Sequence, residues 1–242
     1  MFKKIIFEEA QLQAKYMLEP PKPAINYVPK WYRDQKIYSN GESDILKAFK
    51  NKNSGMGTYK ACTPLVDSLT SGYMVVSSAD ILIRNAIEDE QGYIPRIDWT
   101  VSWAPLDIQQ QEVLGNYPIP YGYSKDSFRW SHDWKVETPP GYSLMISHPA
   151  HRHDLPFFTL SGIVDTDKHP SRLLFPFFVR EGFEGLIPEG TPIAQIIPFK
   201  RDNWKSERKD YNPDTPFIFG NINTMKILRN YKTKYWSKKK YE

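Results

Sequence analysis

Residues 139–201 read PPGYSLMISHPAHRHDLPFFTLSGIVDTDKHPSRLLFPFFVREGFEGLIPEGTPIAQIIPFKR. Three features punctuate this stretch in order. They are Pro-Pro-Gly-Tyr at 139–142, Ser-Gly-Ile-Val-Asp-Thr-Asp at 161–167 and Gly-Thr-Pro-Ile-Ala-Gln-Ile-Ile at 190–197. Each sets a glycine or proline turn beside a short run of β-branched residues, the pattern of a strand leaving a tight turn. Glycines 72, 141, 162 and 190 are expected at turns between strands, including positions of positive φ. The alternation Ile193-Ala194-Gln195-Ile196 fits a strand with one buried face.

Outward from this stretch the β character continues. YMVVSSADILI (73–83) and FPFFVREGFEGLIPEGTPIAQIIPF (175–199) are aromatic or β-branched and bounded by Gly and Pro. Residues 98–104 alternate like a half-buried strand, and Cys62 lies in a strand-like run as a buried, inert thiol. Twenty prolines in 242 residues argue against long helices. Residues 1–18 read as a strand and a short helix, and 20–32 as an extended aromatic arm. A short helix is expected over 43–50, and a further one over 221–236, where Met225, Leu228, Tyr231 and Tyr235 fall at helical spacing.

Composition narrows the function classes. Hydrophobic residues at 40% and charged residues at 25% fit a globular chain that is not embedded in a membrane. No window approaches the roughly 18 consecutive apolar residues of a membrane span. Glu8 and Glu9 interrupt the only apolar patch near the start, so a signal peptide is not expected. With a single cysteine, neither an intrachain disulfide nor a cysteine zinc cluster is possible. The net charge of +4 belongs to the tail: residues 221–242 hold seven Lys or Arg against Glu242 alone, leaving the rest slightly acidic. A nucleic-acid-binding body is therefore not supported. For the tail, a protein contact is preferred over a nucleic-acid contact.

The punctuation resembles the trimeric dUTPase and dCTP deaminase superfamily. Thr70-Ser71-Gly72-Tyr73-Met74-Val75 stands where its first motif would fall, and Pro-Pro-Gly-Tyr at 139–142 where the turn into its second would fall. Gly162–Asp167 stands for the third motif and Gly190–Ile196 for the fourth. The resemblance implies a mainly β fold, a dUTPase-like β-clip in a jelly-roll-like barrel, with an extended N-terminal arm and a C-terminal helix. It implies an arm at 1–58, a β domain at 59–200 with an insertion near 85–135, and a basic extension at 201–242. In such enzymes Asp165 would position the attacking water, while Gln195 and Arg152 would hold phosphate beside Mg²⁺.

Several positions depart from that pattern. Met74 stands where a magnesium-organising aspartate belongs, and a thioether is a poor ligand for a hard cation. The phosphate-gripping Pro-Arg-Ser-Gly is replaced by Ser147-His148-Pro149-Ala150-His151-Arg152-His153. Lys168-His169 stands where a nucleoside-stacking tyrosine belongs. After residue 203 only Gly220 remains to build a glycine-rich lid. Asp165 is equally suited to cap a turn, and Gln195 to be an ordinary polar position or a subunit contact.

The five histidines all fall between 132 and 169. His148, His151 and His153 with Asp154 offer the chemistry of a cupin-like metal site, since imidazoles and a carboxylate suit Zn²⁺ or Fe²⁺. Pro149 and Pro156 instead favour a loop of surface or hydrogen-bonded histidines. The chain also resembles uncharacterised, often phage-encoded proteins in three segments: Pro21–Tyr32, Lys60-x-Cys62-x-Pro64 and Ile197-Pro198-Phe199-Lys200-Arg201. The preferred expectation is a non-catalytic structural or interaction component without a cofactor, of phage origin and located in the host cytoplasm or virion. It would assemble as a homo-oligomer, a trimer by analogy. A divergent nucleotide pyrophosphatase or deaminase-like enzyme using Mg²⁺ is the alternative, and a metalloprotein built on the histidines the second.

Overall fold

The computed structural model describes residues 3–11, 19–39, 57–84, 88–89, 92–93, 95–109, 111–213, 232 and 236–242. The helices expected over 43–50 and 221–236, and the helical part of 1–18, lie outside the described residues. In chain order the strands are β1 (Ile6–Glu9), β2 (Lys22–Pro23), β3 (Tyr73–Val76), β4 (Ile81–Arg84) and β5 (Glu88–Asp89). There follow β6 (Gly92–Tyr93), β7 (Arg96–Trp99), β8 (Leu106–Ile108), β9 (Tyr123–Glu137) and β10 (Tyr142–Ser147). The last are β11 (Phe157–Thr159), β12 (Gly162–Val164), β13 (Ser171–Arg180), β14 (Gly185–Ile187) and β15 (Pro192–Lys200). Two short helices are described, α1 (Lys30–Asp34) and α2 (Thr63–Thr70). Among the described residues no helix is long and apolar enough to cross a membrane.

The chain divides into two compact units. One comprises Met1–Tyr27 and Gly72–Arg201 with Glu242 and holds the sheets; the other comprises Val28–Ser71 and Asp202–Tyr241. In the first unit, one sheet has the order β1-β9-β13-β11 with β8 also on β9, and a second the order β12-β10-β15-β3-β2. β14-β4-β7 form a third sheet and β5-β6 a fourth. Every described pairing is antiparallel. The sheets are open, each ending in short edge strands, so the barrel expected from the resemblance is replaced by separate layers.

The two large sheets share an apolar interior. β9 crosses it with a period of two, burying Phe128, Trp130, His132, Trp134 and Val136 on one face. Trp130 lies flat on Phe177 of β13, with ring centroids 3.9 Å apart, and meets Phe157 of β11 edge-on. Phe7 of β1 reaches Tyr73 of β3 across the layers, 5.3 Å between centroids. A buried polar relay also joins them: Trp130 Nε1 donates to Thr159 Oγ1 (3.3 Å), which donates to the Ile193 carbonyl of β15 (2.6 Å). These two side chains thus carry their polar atoms into the interior with partners, as burial demands, whereas His132 Nδ1 and Trp134 Nε1 on the same face have none.

The three punctuated stretches become β10, β12 with its following turn, and β15. Gly72, Gly141 and Gly190 do take positive φ, whereas Gly162 lies within extended β12. The strand expected over 98–104 ends at Trp99, and 100–104 are irregular. Cys62 is not in a strand. It is half-buried at the N-cap position of α2, because Thr63-Pro64 opens a helix there: proline at the first turn forfeits no hydrogen bond.

In the second unit, Tyr32 of α1 is buried, and its hydroxyl donates to the Lys60 carbonyl at 3.3 Å. The Lys60 ammonium sits 5.8 Å from the Tyr32 ring centroid and donates to the Arg33 carbonyl. Within this unit Tyr32 and Arg33 therefore meet Lys60 of the Lys-x-Cys-x-Pro segment. Asp67 of α2 accepts from Trp236 Nε1 (3.0 Å) and from Lys239 Nζ (2.5 Å).

Candidate functional site

The residues singled out by the sequence fall into two clusters at opposite ends of β10. At its start, β10 pairs with the end of β15 and with β12. Ser143 Oγ donates to Asp165 Oδ1 at 2.6 Å. Arg201, one residue past β15, donates from Nη1 to Asp167 Oδ1 (2.7 Å), Ser143 Oγ (2.9 Å) and the Tyr142 carbonyl (3.0 Å). Its Nη2 pairs with Asp167 Oδ2, and Asp165 Oδ1 lies 3.2 Å from Nη1. Asp167 Oδ2 also accepts the Gly141 N–H at 2.8 Å, and the Arg201 N–H donates to the Gly141 carbonyl.

These bonds fasten the Pro-Pro-Gly-Tyr turn, the turn after β12 and the end of β15 together. Next to them, Thr138 and Thr166 share a buried hydroxyl contact of 2.7 Å. The bidentate fit of a guanidinium on a carboxylate gives this fastening its direction. Arg201 holds the Asp167 carboxyl down to about 2, and the Asp167 side chain is only 5% exposed. The Ser143 hydrogen bond, with Arg201 adding to it, lowers Asp165 as well. Asp165 is thus an anion engaged through Oδ1 by a hydroxyl and a guanidinium, with its side chain half-exposed. A general base would instead need its pKa raised toward the working pH.

The second cluster surrounds the loop after β10. His148 Nδ1 accepts the Thr159 N–H at 3.3 Å, which places the ring proton on Nε2, where it is donated to the Arg152 carbonyl at 3.0 Å. The ring packs against Phe157 and Phe158, and burial lowers its pKa. Gln195 is 1% exposed and accepts the Ala150 N–H at 3.0 Å. Arg152 forms a two-pronged pair with Asp154, at 2.8 and 2.9 Å. Arg180 clamps the loop from β13 by donating to the His153 and Leu155 carbonyls.

The geometry therefore brings Gln195, Arg152 and His148 to one loop and leaves Asp165 apart. Ser143, which holds Asp165, and Ser147, which pairs with Gln195, are four residues apart on β10, about 13 Å along a strand. His151 takes a left-handed φ of 57°, and its ring lies 6.4 Å from that of His153. Both nitrogens of His148 are used by the backbone, so a metal would first have to break one of these bonds. Among the described residues no three His, Cys, Asp or Glu side chains converge on a metal-sized point. Magnesium, which the resemblance would imply, does not fit: Met74 is buried in β3 opposite Gln195, offering a thioether where a carboxylate oxygen is needed.

Sequence reasoning missed Arg201, Ser143 and Asp167, the residues that give Asp165 its surroundings. The available signal was the Asp-x-Asp spacing at 165–167 together with an arginine closing a predicted strand.

No protein-family model matches the chain, and no curated protein matches it. A solved structure with some likeness is a mutant dUTPase from phage phi11 of S. aureus. It is 12% identical, with 58% of this chain and 82% of that chain covered and a TM-score of 0.30. A likeness of that size carries no argument.

Proposed function

We propose that the protein is a non-catalytic structural or interaction component built on a dUTPase-like β scaffold. The observation that carries this reading is the engagement of each candidate catalytic side chain by the protein itself. Asp165 is held by Ser143 and Arg201, Arg152 by Asp154, Gln195 by the Ala150 amide and His148 by two backbone groups. Each of these contacts fixes a turn or loop. An enzyme of the dUTPase type would need them aimed at a shared substrate, with a carboxylate in place of Met74. A phage-encoded setting is part of the proposal and rests on the sequence patterns at 21–32, 60–64 and 197–201. Assembly with further copies of the chain belongs to the same reading.

Calorimetric titration with each deoxynucleoside triphosphate in the presence of Mg²⁺ tests this proposal. No saturable heat is expected from any of them. Saturable binding that disappears in Arg152→Ala would favour the divergent pyrophosphatase instead.

A further inference from the structure

Thr159 lies on the outer edge of the first sheet, because β11 ends the order β1-β9-β13-β11. Successive residues of an antiparallel strand turn their backbone groups alternately toward and away from the neighbouring strand. The Leu160 N–H turns inward and donates to the Pro176 carbonyl of β13 at 2.8 Å. The Thr159 N–H turns outward, and its acceptor there is His148 Nδ1.

This contact differs in kind from the other fastenings of the 148–155 loop. The Ala150 N–H goes to the Gln195 side-chain oxygen, and the Arg180 guanidinium goes to the His153 and Leu155 carbonyls. Neither an amide nor a guanidinium changes charge where imidazole titrates. An imidazole nitrogen accepts only while it is unprotonated. Once Nδ1 takes a proton, it and the Thr159 N–H are two donors face to face. Nε2 holds its proton in both states, so its bond to the Arg152 carbonyl survives.

We infer that His148 is an acid-released latch between the 148–155 loop and the edge of β11: protonation at Nδ1 frees the Thr159 N–H, and the ring leaves the edge with the Arg152 turn attached. Burial first, then the charges of His153 and Arg152, hold the docked ring below the ordinary imidazole pKa of 6.5, while the Arg152 carbonyl and Asp154 pull the other way. The packed faces add no charge. Phe157 and Phe158 of β11 lie against the ring, Tyr123 of β9 lies behind Phe158, and Ser147 of β10 pairs with Gln195 of β15. Arg180 of β13 meets the loop through its carbonyls. The freed imidazole therefore binds a proton that the docked one resists, so the latch is fully closed above about pH 6.5 and is lost on acidification. The release is local, because the Thr159 hydroxyl relay from Trp130 to the Ile193 carbonyl contains no ionisable group.

Amide exchange of the full chain, followed by NMR from about pH 7.5 to about 5, tests the latch. The protection of Thr159 should fall by about tenfold per pH unit below 6.5, relative to that of Leu160, because each opening takes up one proton. His148→Asn places an amide oxygen near the position of Nδ1 that accepts throughout this range, and should abolish the relative fall. The nitrogen-15 spectrum of the native protein at neutral pH should show His148 protonated at Nε2 alone, a readout that needs no variant. Thr159 protection that keeps pace with Leu160, a fall of the same size in His148→Asn, or a neutral ring protonated at Nδ1 would overturn the inference.

Discussion

Gly72→Ala is expected to cost at least about 4 kcal/mol of folding stability, enough to leave much of the protein unfolded. Two independent effects act at this position. Its φ of +73° is one that L side chains adopt only with strain, a cost of roughly 1–2 kcal/mol. In addition, a Cβ there would stand 2.0 Å from the Ile196 carbonyl oxygen and 2.9 Å from its carbon. Those are backbone atoms of β15 and cannot rotate aside.

Relief would require β3 and β15 to separate where Tyr73 pairs with Ile196. The Gly72 carbonyl also accepts the Ala24 N–H at 3.0 Å, so β2 would move with it. Gly141→Ala is the control, with φ +83° and nothing within 4 Å of the new methyl. It should lose only the strain, about 1–2 kcal/mol. Urea unfolding of both variants checks this. Equal losses would show that the close approach at Gly72 does not govern the fold.

Stability should fall as pH drops from about 6.5 to about 4, by roughly 3 kcal/mol, through His132 alone. His132 lies on the inward face of β9, 2% exposed. A bulge between Arg172 and Leu174 leaves Leu173 as the residue of β13 opposite this part of the strand. Its Nδ1 has no hydrogen-bond partner, and neither has Nε1 of Trp134 two residues on. Burial alone pushes the imidazole down from 6.5 to about 4.

The direction of the effect follows from proton counting. Between these two values the unfolded chain binds a proton and the folded chain does not, so stability is complete above pH 6.5 and is lost on acidification. His132→Leu should make this window shallower, leaving the part contributed by buried His148 and a second window below it. That second loss begins near pH 4, the range of an ordinary aspartate, and proceeds toward about 2, where Asp167 of the Arg201 cluster finally protonates. Asp167→Asn should reduce the lower step and spare the upper. Urea midpoints measured across the pH range in the three proteins test both assignments. An upper step of undiminished size in His132→Leu would refute the first.

The parts of this architecture legible from sequence were those written by turns and apolar runs. Gly141 and Gly190, each at a positive φ, lead into β10 and β15. β9 was harder to read because its inward row of Phe128, Trp130, Trp134 and Val136 includes His132. That histidine belongs by sequence to the cluster at 132–169, but in the fold it is a core residue of the first sheet. α2 was hidden because Thr63-Pro64 reads as a turn when no helical stripe is obvious beyond it. Asp165 drew attention as a candidate base, yet its character is set by Ser143, twenty-two positions earlier, and by Arg201, thirty-six positions later in the chain. Only strand register brings the three together, and register at that range is not written in local pattern.

The central claim is that Asp165 and its neighbours are structural. Its most direct test is pyrophosphate release from a panel of deoxynucleoside triphosphates with Mg²⁺ or Mn²⁺, by the native protein and by Asp165→Asn. The account predicts no release above buffer in either protein and a lower unfolding midpoint for the variant. Turnover of any nucleotide by the native protein that vanishes in Asp165→Asn would contradict it.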